Sequence, residues 1–137
     1  MAILSTDADL ASLLRRSRTI AVVGLSGSPL RDSQRVALYL QQQGYVIIPV
    51  NPLVQRVLGQ AAFPDLESIG HPVDIVDVFR RPEYVPAIAA AAVRSGARAL
   101  WLQFDTVHDA AAGDASRAGL DVVLDRCIMV EHRRLIG

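Results

Sequence analysis

The sequence contains no lysine, and all fourteen of its basic side chains are arginines. This absence excludes a Schiff-base lysine and the lysine of a P-loop nucleotide-binding motif. Any positively charged contact to a phosphate must therefore come from arginine, whose planar guanidinium binds oxyanions in a bidentate way.

The sequence also has a single cysteine, no net charge and no long apolar run. Cys127 is the only cysteine, so no disulfide can form within the chain, and we expect a reducing, cytoplasmic environment. The formal net charge is zero, which argues against general binding to nucleic acid or to an acidic membrane. No apolar run approaches the ~18 residues of a membrane span. The N-terminus lacks the basic start of a secretion signal.

The chain has 137 residues, about half of them apolar, which suits a single domain over 1–137 with one core. Runs of β-branched and apolar residues alternate with amphipathic stretches. They predict strands at about 25-residue spacing, over 19–24, 45–50, 73–79, 97–102 and 120–124. Helices are predicted at about 7–17, 33–43, 82–96 and 106–118, with a core over 19–125 and a C-terminal tail over 126–137.

This alternation predicts an α/β fold. Right-handed strand–helix–strand units produce a single doubly wound parallel sheet, Rossmann-like, with helices on both faces. We expect the strand order 3-2-1-4-5, which places a ligand crevice over the carboxyl ends of the first and fourth strands.

The most informative stretch is the loop after the first strand. Gly24, Ser26, Gly27 and Ser28 form a turn with little side-chain bulk, and Asp32 or Ser33 can cap the helix that follows. A strand, a small-residue loop and a helix N-terminus form a cradle for phosphate, because backbone N–H groups and the helix dipole both favour an anion there. The loop departs from the G-x-G-x-x-G dinucleotide fingerprint and is longer than that tight turn.

Polar residues at other strand ends extend the candidate site. Arg31 adds a positive charge to the loop. Asn51 ends the second strand, where NAD enzymes usually carry an acidic residue for the ribose; it either takes that place or makes the turn before Pro52. Arg80 follows the third strand, and Gln103 follows the fourth and can hydrogen-bond a ligand at the crevice.

Two aspartates, the histidines and the cysteine are the candidates for catalysis or metal binding. Asp74 and Asp77 lie in one apolar strand on opposite faces, so they form no catalytic pair, and we expect each to pair with arginine. The histidines and Cys127 lack metal-ligand spacing, and no nucleophile–base arrangement is present. The sequence therefore predicts no metal site and no catalytic residue.

Five motifs occur in an order that resembles a known family: Val-Val-Gly-Leu-Ser-Gly-Ser-Pro (22–29), Ile-Ile-Pro-Val-Asn-Pro (47–52), Val-Asp-Ile-Val-Asp-Val-Phe-Arg-Arg-Pro-Glu (73–83), Ala-Leu-Trp-Leu-Gln (99–103) and Val-Val-Leu-Asp-Arg-Cys (122–127). The set resembles the small, stand-alone CoA-binding proteins of bacteria and archaea, over about residues 5–135. Their fold is similar to the CoA-binding domain of the succinyl-CoA synthetase α subunit.

The resemblance implies a Rossmann-type domain that binds coenzyme A or an acyl-CoA, with no established reaction. It also implies places for the site residues along the ligand. The pyrophosphate would lie at Gly24, Ser26, Gly27 and Ser28, the adenosine near Asn51 and Pro52, and the adenine and pantetheine along Val78, Phe79 and Arg80, with Gln103 at the crevice.

Two other functions stay open at this stage. An NAD(P)-dependent oxidoreductase is the first, although Asn51 and the missing fingerprint argue against it. The second is an interaction module of the same fold that binds no ligand, which the negative charges of Asp32 and Asp105 favour. The expected partner is a small CoA-type molecule, while a homodimer or an unidentified protein partner is left open.

Overall fold

A computed structural model describes residues 2–137 of the chain. Strands and helices alternate along most of its length. The strands are β1 (Ala2–Ile3), β2 (Thr19–Val23), β3 (Val46–Val50), β4 (Arg56–Val57), β5 (Gln60–Ala61), β6 (Ile75–Val78), β7 (Ala99–Leu102) and β8 (Asp121–Leu124). The α-helices are α1 (Asp7–Arg16), α2 (Asp32–Gln42), α3 (Val85–Ser95), α4 (Asp109–Arg117) and α5 (Ile128–Leu135), and short 3₁₀ turns occur at Glu67–Ile69 and Pro82–Tyr84.

The main sheet has the strand order β1-β8-β7-β6-β2-β3, and every pair in it is parallel. The sheet therefore confirms the predicted doubly wound α/β class. β4 and β5 form a separate antiparallel hairpin in the connection between β3 and β6. The pairing of β1 with β8 extends the sheet by a short edge strand that the sequence did not predict.

The predicted strand order, 3-2-1-4-5, is wrong. In the numbering of the five predicted strands, the observed order is 2-1-3-4-5, so the third strand, β6, pairs with β2. The outer edge of β3 is taken by Phe63, whose amide donates to the carbonyl of Pro49 at 2.9 Å. Proline within a strand favours a sheet edge because it cannot donate to a neighbour, and Pro49 was the signal for this order. The point where strand order reverses lies between β2 and β6.

Helices cover both faces of the sheet, as predicted. On one face, α3 and α4 pack over Ala21, Val23 and Val78. On the other face, α1, α2 and α5 pack over Ile20 and Val22. Successive side chains of a strand point to opposite faces of the sheet. Because helices cover both faces, the side chains on each face are apolar. Consecutive residues of β2 therefore enter different layers.

The two strand aspartates have different environments. The carboxylate of Asp74 accepts hydrogen bonds from the amides of Arg18 (2.7 Å) and Thr19 (3.1 Å), and Nε of Arg98 lies 3.7 Å away. Its predicted arginine pairing is therefore confirmed. Asp77 is fully buried, and neither of its carboxyl oxygens has a hydrogen-bond partner within residues 2–137. The prediction that Asp77 pairs with arginine is wrong, and burial raises the pKa of this carboxyl well above its usual value.

Candidate functional site

The candidate site begins where β2 ends at Gly24. The amide of Gly24 donates to the carbonyl of Val50 at 2.8 Å, and its φ of +88° is a left-handed conformation that favours glycine. A Cβ here would lie 2.9 Å from Cδ of Arg80 and 3.1 Å from the carbonyl oxygen of Phe79. Glycine is required because the tips of β2 and β6 approach each other closely at this point.

Three serines organise the loop after Gly24. The amide of Ser26 donates to Oγ of Ser33 at 3.0 Å, the amide of Ser28 donates to Oγ of Ser26 at 3.0 Å, and the amide of Leu30 donates to Oγ of Ser28 at 3.3 Å. Each hydroxyl accepts one of these bonds and keeps its own hydrogen available for donation. Ser26 and Ser28 are predicted site residues, whereas Ser33 is predicted only as a helix cap, because a contact over seven residues leaves no local pattern in the sequence.

The helix that follows has an open N-terminus. Its N-cap is Arg31, which makes no side-chain capping hydrogen bond. The prediction that Asp32 or Ser33 caps α2 is therefore wrong. The carboxylate of Asp32 is exposed and pairs with the guanidinium of Arg35. The first-turn N–H groups of a helix have no intrahelical partner, so those of Asp32 and Ser33 are available to an anion.

A cavity of about 740 Å³, here called the α2 cavity, opens between this loop, the N-terminus of α2 and the segment after β3. Seven of the predicted site residues line it: Gly24, Ser26, Gly27, Arg31, Asn51, Phe79 and Arg80. Ser33 lines it as well. Ser28 supports the loop from outside this lining. The cavity combines hydroxyl and backbone donors with two arginines, Arg31 and Arg80, that form no ion pair within residues 2–137.

Two leucines at the mouth of the α2 cavity were missed by sequence analysis. Leu30 is 89% exposed and Leu53 is 90% exposed, and both line the cavity. A single exposed leucine needs no explanation, but two at one cavity mouth offer apolar surface to a ligand. The sequence does not predict them as site residues, because a single leucine in a polar loop belongs to no helical or strand periodicity.

Asn51 joins the loops on the two sides of the cavity. Its Nδ2 donates to the carbonyl of Leu25 at 3.0 Å, and its Oδ1 accepts from the amide of Leu53 at 2.9 Å. Of the two interpretations that the sequence left open, this geometry supports the turn, because the amide side chain is engaged by the backbone of both loops.

Arg80 lies between the α2 cavity and a second cavity. Its guanidinium lies 4.2 Å from the ring centroid of Tyr84, the geometry of a cation–π contact. The second cavity, here called the α3 cavity, has a volume of about 320 Å³ and lies on the α3 side of the sheet. Arg80 lines both cavities, whereas Pro52, predicted for the same ligand, lines only the α3 cavity.

Besides Ser28, two predicted residues lie outside both cavities. Val78 is fully buried among the residues under α3 and α4, so the prediction that it lines a ligand path is corrected. Gln103 is 4% exposed, and its Oε1 accepts from the amide of Ile128 at 3.0 Å. It therefore holds the N-terminus of α5, a contact across twenty-five residues, instead of facing the crevice.

Within residues 2–137, no three histidine, cysteine, aspartate or glutamate side chains are grouped so that they could hold a metal ion. None of the helices in this range has the length and apolar character needed to cross a membrane.

Comparison with known proteins gives a family and close relatives. The model of the family described as "CoA binding domain" matches residues 18–133. The chain is 42% identical over 127 residues to the uncharacterized protein YneT of Bacillus subtilis, covering 93% of this chain and 94% of YneT.

Solved structures agree. A hypothetical protein from Pyrococcus horikoshii is 37% identical, with a TM-score of 0.95 over 100% of this chain and 98% of that one. A protein from Thermus thermophilus is 37% identical, with a TM-score of 0.92 over 96% of this chain and 100% of that one. The chain belongs to the CoA binding domain family.

Proposed function

We propose that this protein binds coenzyme A or an acyl-CoA, with the diphosphate held at segment 24–33, and that it carries out no reaction on the ligand. One arrangement supports the proposal most strongly. The hydroxyls of Ser26 and Ser33 and the uncapped N-terminus of α2 border the same cavity of about 740 Å³. Membership of the CoA binding domain family favours coenzyme A among phosphate-containing ligands.

The donor set fits a diphosphate. Hydroxyl hydrogens and backbone N–H groups are the donors that proteins use for phosphate oxygens at a helix N-terminus, where the helix dipole adds a favourable field. The charge of Asp32 does not oppose this, because its carboxylate pairs with Arg35. Arg31, on the rim, supplies a positive charge for a further phosphate group such as the 3′-phosphate of coenzyme A.

The absence of catalysis is proposed from the residues around the α2 cavity. Within residues 2–137, the residues that line it include no histidine, cysteine or tyrosine, and Asp32 is their only carboxylate. A general acid or base needs a titratable side chain within hydrogen-bond reach of the substrate. The Asp32 carboxylate is poorly suited to that role because it is paired with Arg35. We therefore assign the remaining lining residues to binding and orienting the ligand.

Isothermal titration calorimetry tests binding, with coenzyme A, acetyl-CoA and NAD as ligands. We expect saturable binding of both CoA compounds and markedly weaker binding of NAD. Binding of NAD in preference to coenzyme A would instead favour an oxidoreductase. Absence of heat with coenzyme A at millimolar concentration, under conditions where the protein is folded, would overturn the proposal.

Catalysis is tested separately. Acetyl-CoA is incubated with the protein and examined by mass spectrometry against a sample without protein. Equal amounts of acetyl-CoA in both samples are expected, and accelerated hydrolysis or transfer would overturn the non-catalytic part of the proposal.

A further inference from the structure

Helix α3 has an apolar side that faces solvent. Residues 85–93 are all apolar, and Arg94 is the first charged residue of the helix. Pro86, Ala87 and Ala90 are nevertheless exposed. Helix α1 differs, since four of its six exposed residues are charged. A helix that is apolar on every side is normally buried on every side, so the outer face of α3 has the composition of a covered surface.

A groove between α3 and α4, here called the α3–α4 groove, continues this apolar face. It has a volume of about 420 Å³, and six of the eleven residues that line it are alanines. Pro86, Ala90 and Val93 are on its α3 side, and Ala110 and Ala118 are on its α4 side. How closely two helices pack depends on the side chains at the contact, and the short side chains here allow a close approach by another chain.

The charges of the α3–α4 groove are divided between its two sides. Besides His108, whose ring caps the N-terminus of α4, the groove contains Arg94 on α3 and Asp114 on α4. Arg94 is paired with Glu67 at 3.0 Å, and Asp114 is paired with Arg117. The two sides of the groove are therefore alike in apolar character and opposite in the sign of their charge.

A second copy of this chain matches both properties. In an interface between identical copies related by a twofold axis, each contact occurs twice with the roles exchanged. The helices α3 and α4 run parallel to each other, because each connects one strand to the next in the parallel series β6, β7 and β8. A twofold axis along the groove therefore places α3 of one copy against α4 of the other, with Arg94 opposite Asp114 at two places.

We infer that the α3–α4 groove is the interface of a homodimer whose twofold axis runs along the groove. Apolar residues of one copy contact apolar residues of the other. Each contact between Arg94 and Asp114 of different copies joins two existing surface pairs into a row of alternating charges, with Glu67 at one end and Arg117 at the other. An unrelated protein would have to supply the same arrangement of charges, whereas a second copy already contains it.

The size of the two helices limits the strength of this dimer. With 11 residues in α3 and 9 in α4, the helices are about 16 Å and about 13 Å long. A standard protein interface buries about 800 Å² on each partner, which is more than two helices of this length offer. We therefore expect a reversible dimer with a dissociation constant in the micromolar range.

Sedimentation equilibrium from micromolar to millimolar concentration measures the association. The average mass of the wild type should rise from that of one copy toward that of two. Ala90→Glu places a charge in the middle of the apolar contact and should weaken the dimer by about tenfold or more. Leu38→Glu is the matched control, because Leu38 is an exposed apolar residue of α2 that does not line the groove. It should leave the association unchanged.

Exchanging the two charges tests the direction of the axis. Asp114→Arg alone places two arginines opposite each other and should weaken the dimer, and Arg94→Glu alone should do so by opposing two carboxylates. The double variant Arg94→Glu/Asp114→Arg again has opposite signs across the axis. Its association should be stronger than that of either single variant, which a purely additive effect of the two substitutions would not produce.

Three results would contradict the inference. A wild type that remains monomeric up to millimolar concentration would overturn it. A dimer that Ala90→Glu and Leu38→Glu leave equally strong would also overturn it, because the interface would then lie elsewhere. A double variant that associates no better than the single variants would overturn the proposed axis. Circular dichroism checks that each variant is folded, and Ala110→Glu, on the other side of the groove, repeats the comparison if Ala90→Glu is unfolded.

Discussion

Asp77 and Trp101 occupy opposing register positions on β6 and β7, and both side chains are fully buried. The indole Nε1 of Trp101 donates to the carbonyl of Arg126 at 2.8 Å, whereas the carboxyl of Asp77 has no partner within residues 2–137. Burying a carboxyl without a hydrogen bond is unfavourable, and burying its ionised form more so. The centre of the sheet thus contains a destabilising residue beside a satisfied one.

Replacing Asp77 should stabilise the protein at neutral pH. The folded-state pKa of Asp77 is raised by burial, so stability is highest below the unfolded pKa of about 3.9 and falls as pH rises toward the folded value. Asp77→Asn removes this titration, and we expect its free energy of unfolding at pH 7 to exceed that of the wild type by about 1–3 kcal/mol. Urea unfolding at pH 4 and pH 7 measures the difference, which should be larger at pH 7.

Asp74→Asn is the matched control on the same segment of chain. Burial alone would raise the pKa of Asp74, but hydrogen bonds from Arg18 and Thr19, with the nearby Arg98, lower it overall. The stabilisation from this carboxylate is therefore present above the unfolded pKa and is lost as pH falls. Asp74→Asn should destabilise at neutral pH, and equal effects of the two substitutions would contradict our account of Asp77.

His132 should make folding sensitive to mild acid. It is 4% exposed, and its Nδ1 lies 2.7 Å from the hydroxyl of Tyr39. Burial lowers the pKa of His132 below its usual value, so its stabilising effect is complete above the unfolded pKa of about 6.5 and declines as pH falls toward the folded value.

In His132→Gln, which keeps an acceptor for Tyr39, the loss of stability between pH 7 and pH 5 should be smaller than in the wild type by about 0.5–1 kcal/mol. Urea unfolding at the two pH values measures this difference. His71→Gln, at an exposed histidine, is the control. Identical pH profiles for the wild type and His132→Gln would show that His132 does not cause the acid sensitivity of folding.

Ser33→Ala should impair the ligand loop more than the fold. The substitution removes the acceptor for the amide of Ser26 and one hydroxyl of the proposed phosphate site. We expect the free energy of unfolding to fall by about 1 kcal/mol and the affinity for coenzyme A to fall by about tenfold. Calorimetry and urea unfolding provide the two values. Ser5→Ala, at an exposed serine outside the loop, should change neither.

Gly24→Ala tests the close approach of β2 and β6. The substitution combines the strain of a positive φ with contacts to Cδ of Arg80 and to the carbonyl of Phe79. We expect a loss of about 2–4 kcal/mol of unfolding free energy and weaker binding of coenzyme A, because Arg80 must move.

The control for Gly24→Ala is Gly44→Ala, where φ is +99° and no heavy atom lies within 4 Å of the added Cβ. This variant has the same backbone strain without the steric contact. It should lose only about 1–2 kcal/mol and bind coenzyme A normally. Equal losses in the two variants would show that crowding at Gly24 is unimportant.

Local patterns in the sequence were sufficient for the parts of the fold that depend on neighbouring residues. Alternating strands and helices, the parallel sheet and the small-residue loop after β2 follow from periodicity and residue size over a few positions. Gly24 and Ser26 were predictable for the same reason, since a turn at the end of a strand constrains its own residues. Pro49 also contained the information that β3 is an edge strand, although the predicted order did not use it.

By itself, then, the sequence determined an α/β sheet, its elements and a small-residue loop at the end of the first long strand. Only the tertiary structure decided that Gln103 holds the start of α5, that Asp77 has no partner, and that Arg80 separates two cavities. The physical reason is distance along the chain. These contacts join residues that no local period relates, and they form only when strand order and helix packing bring separate segments together.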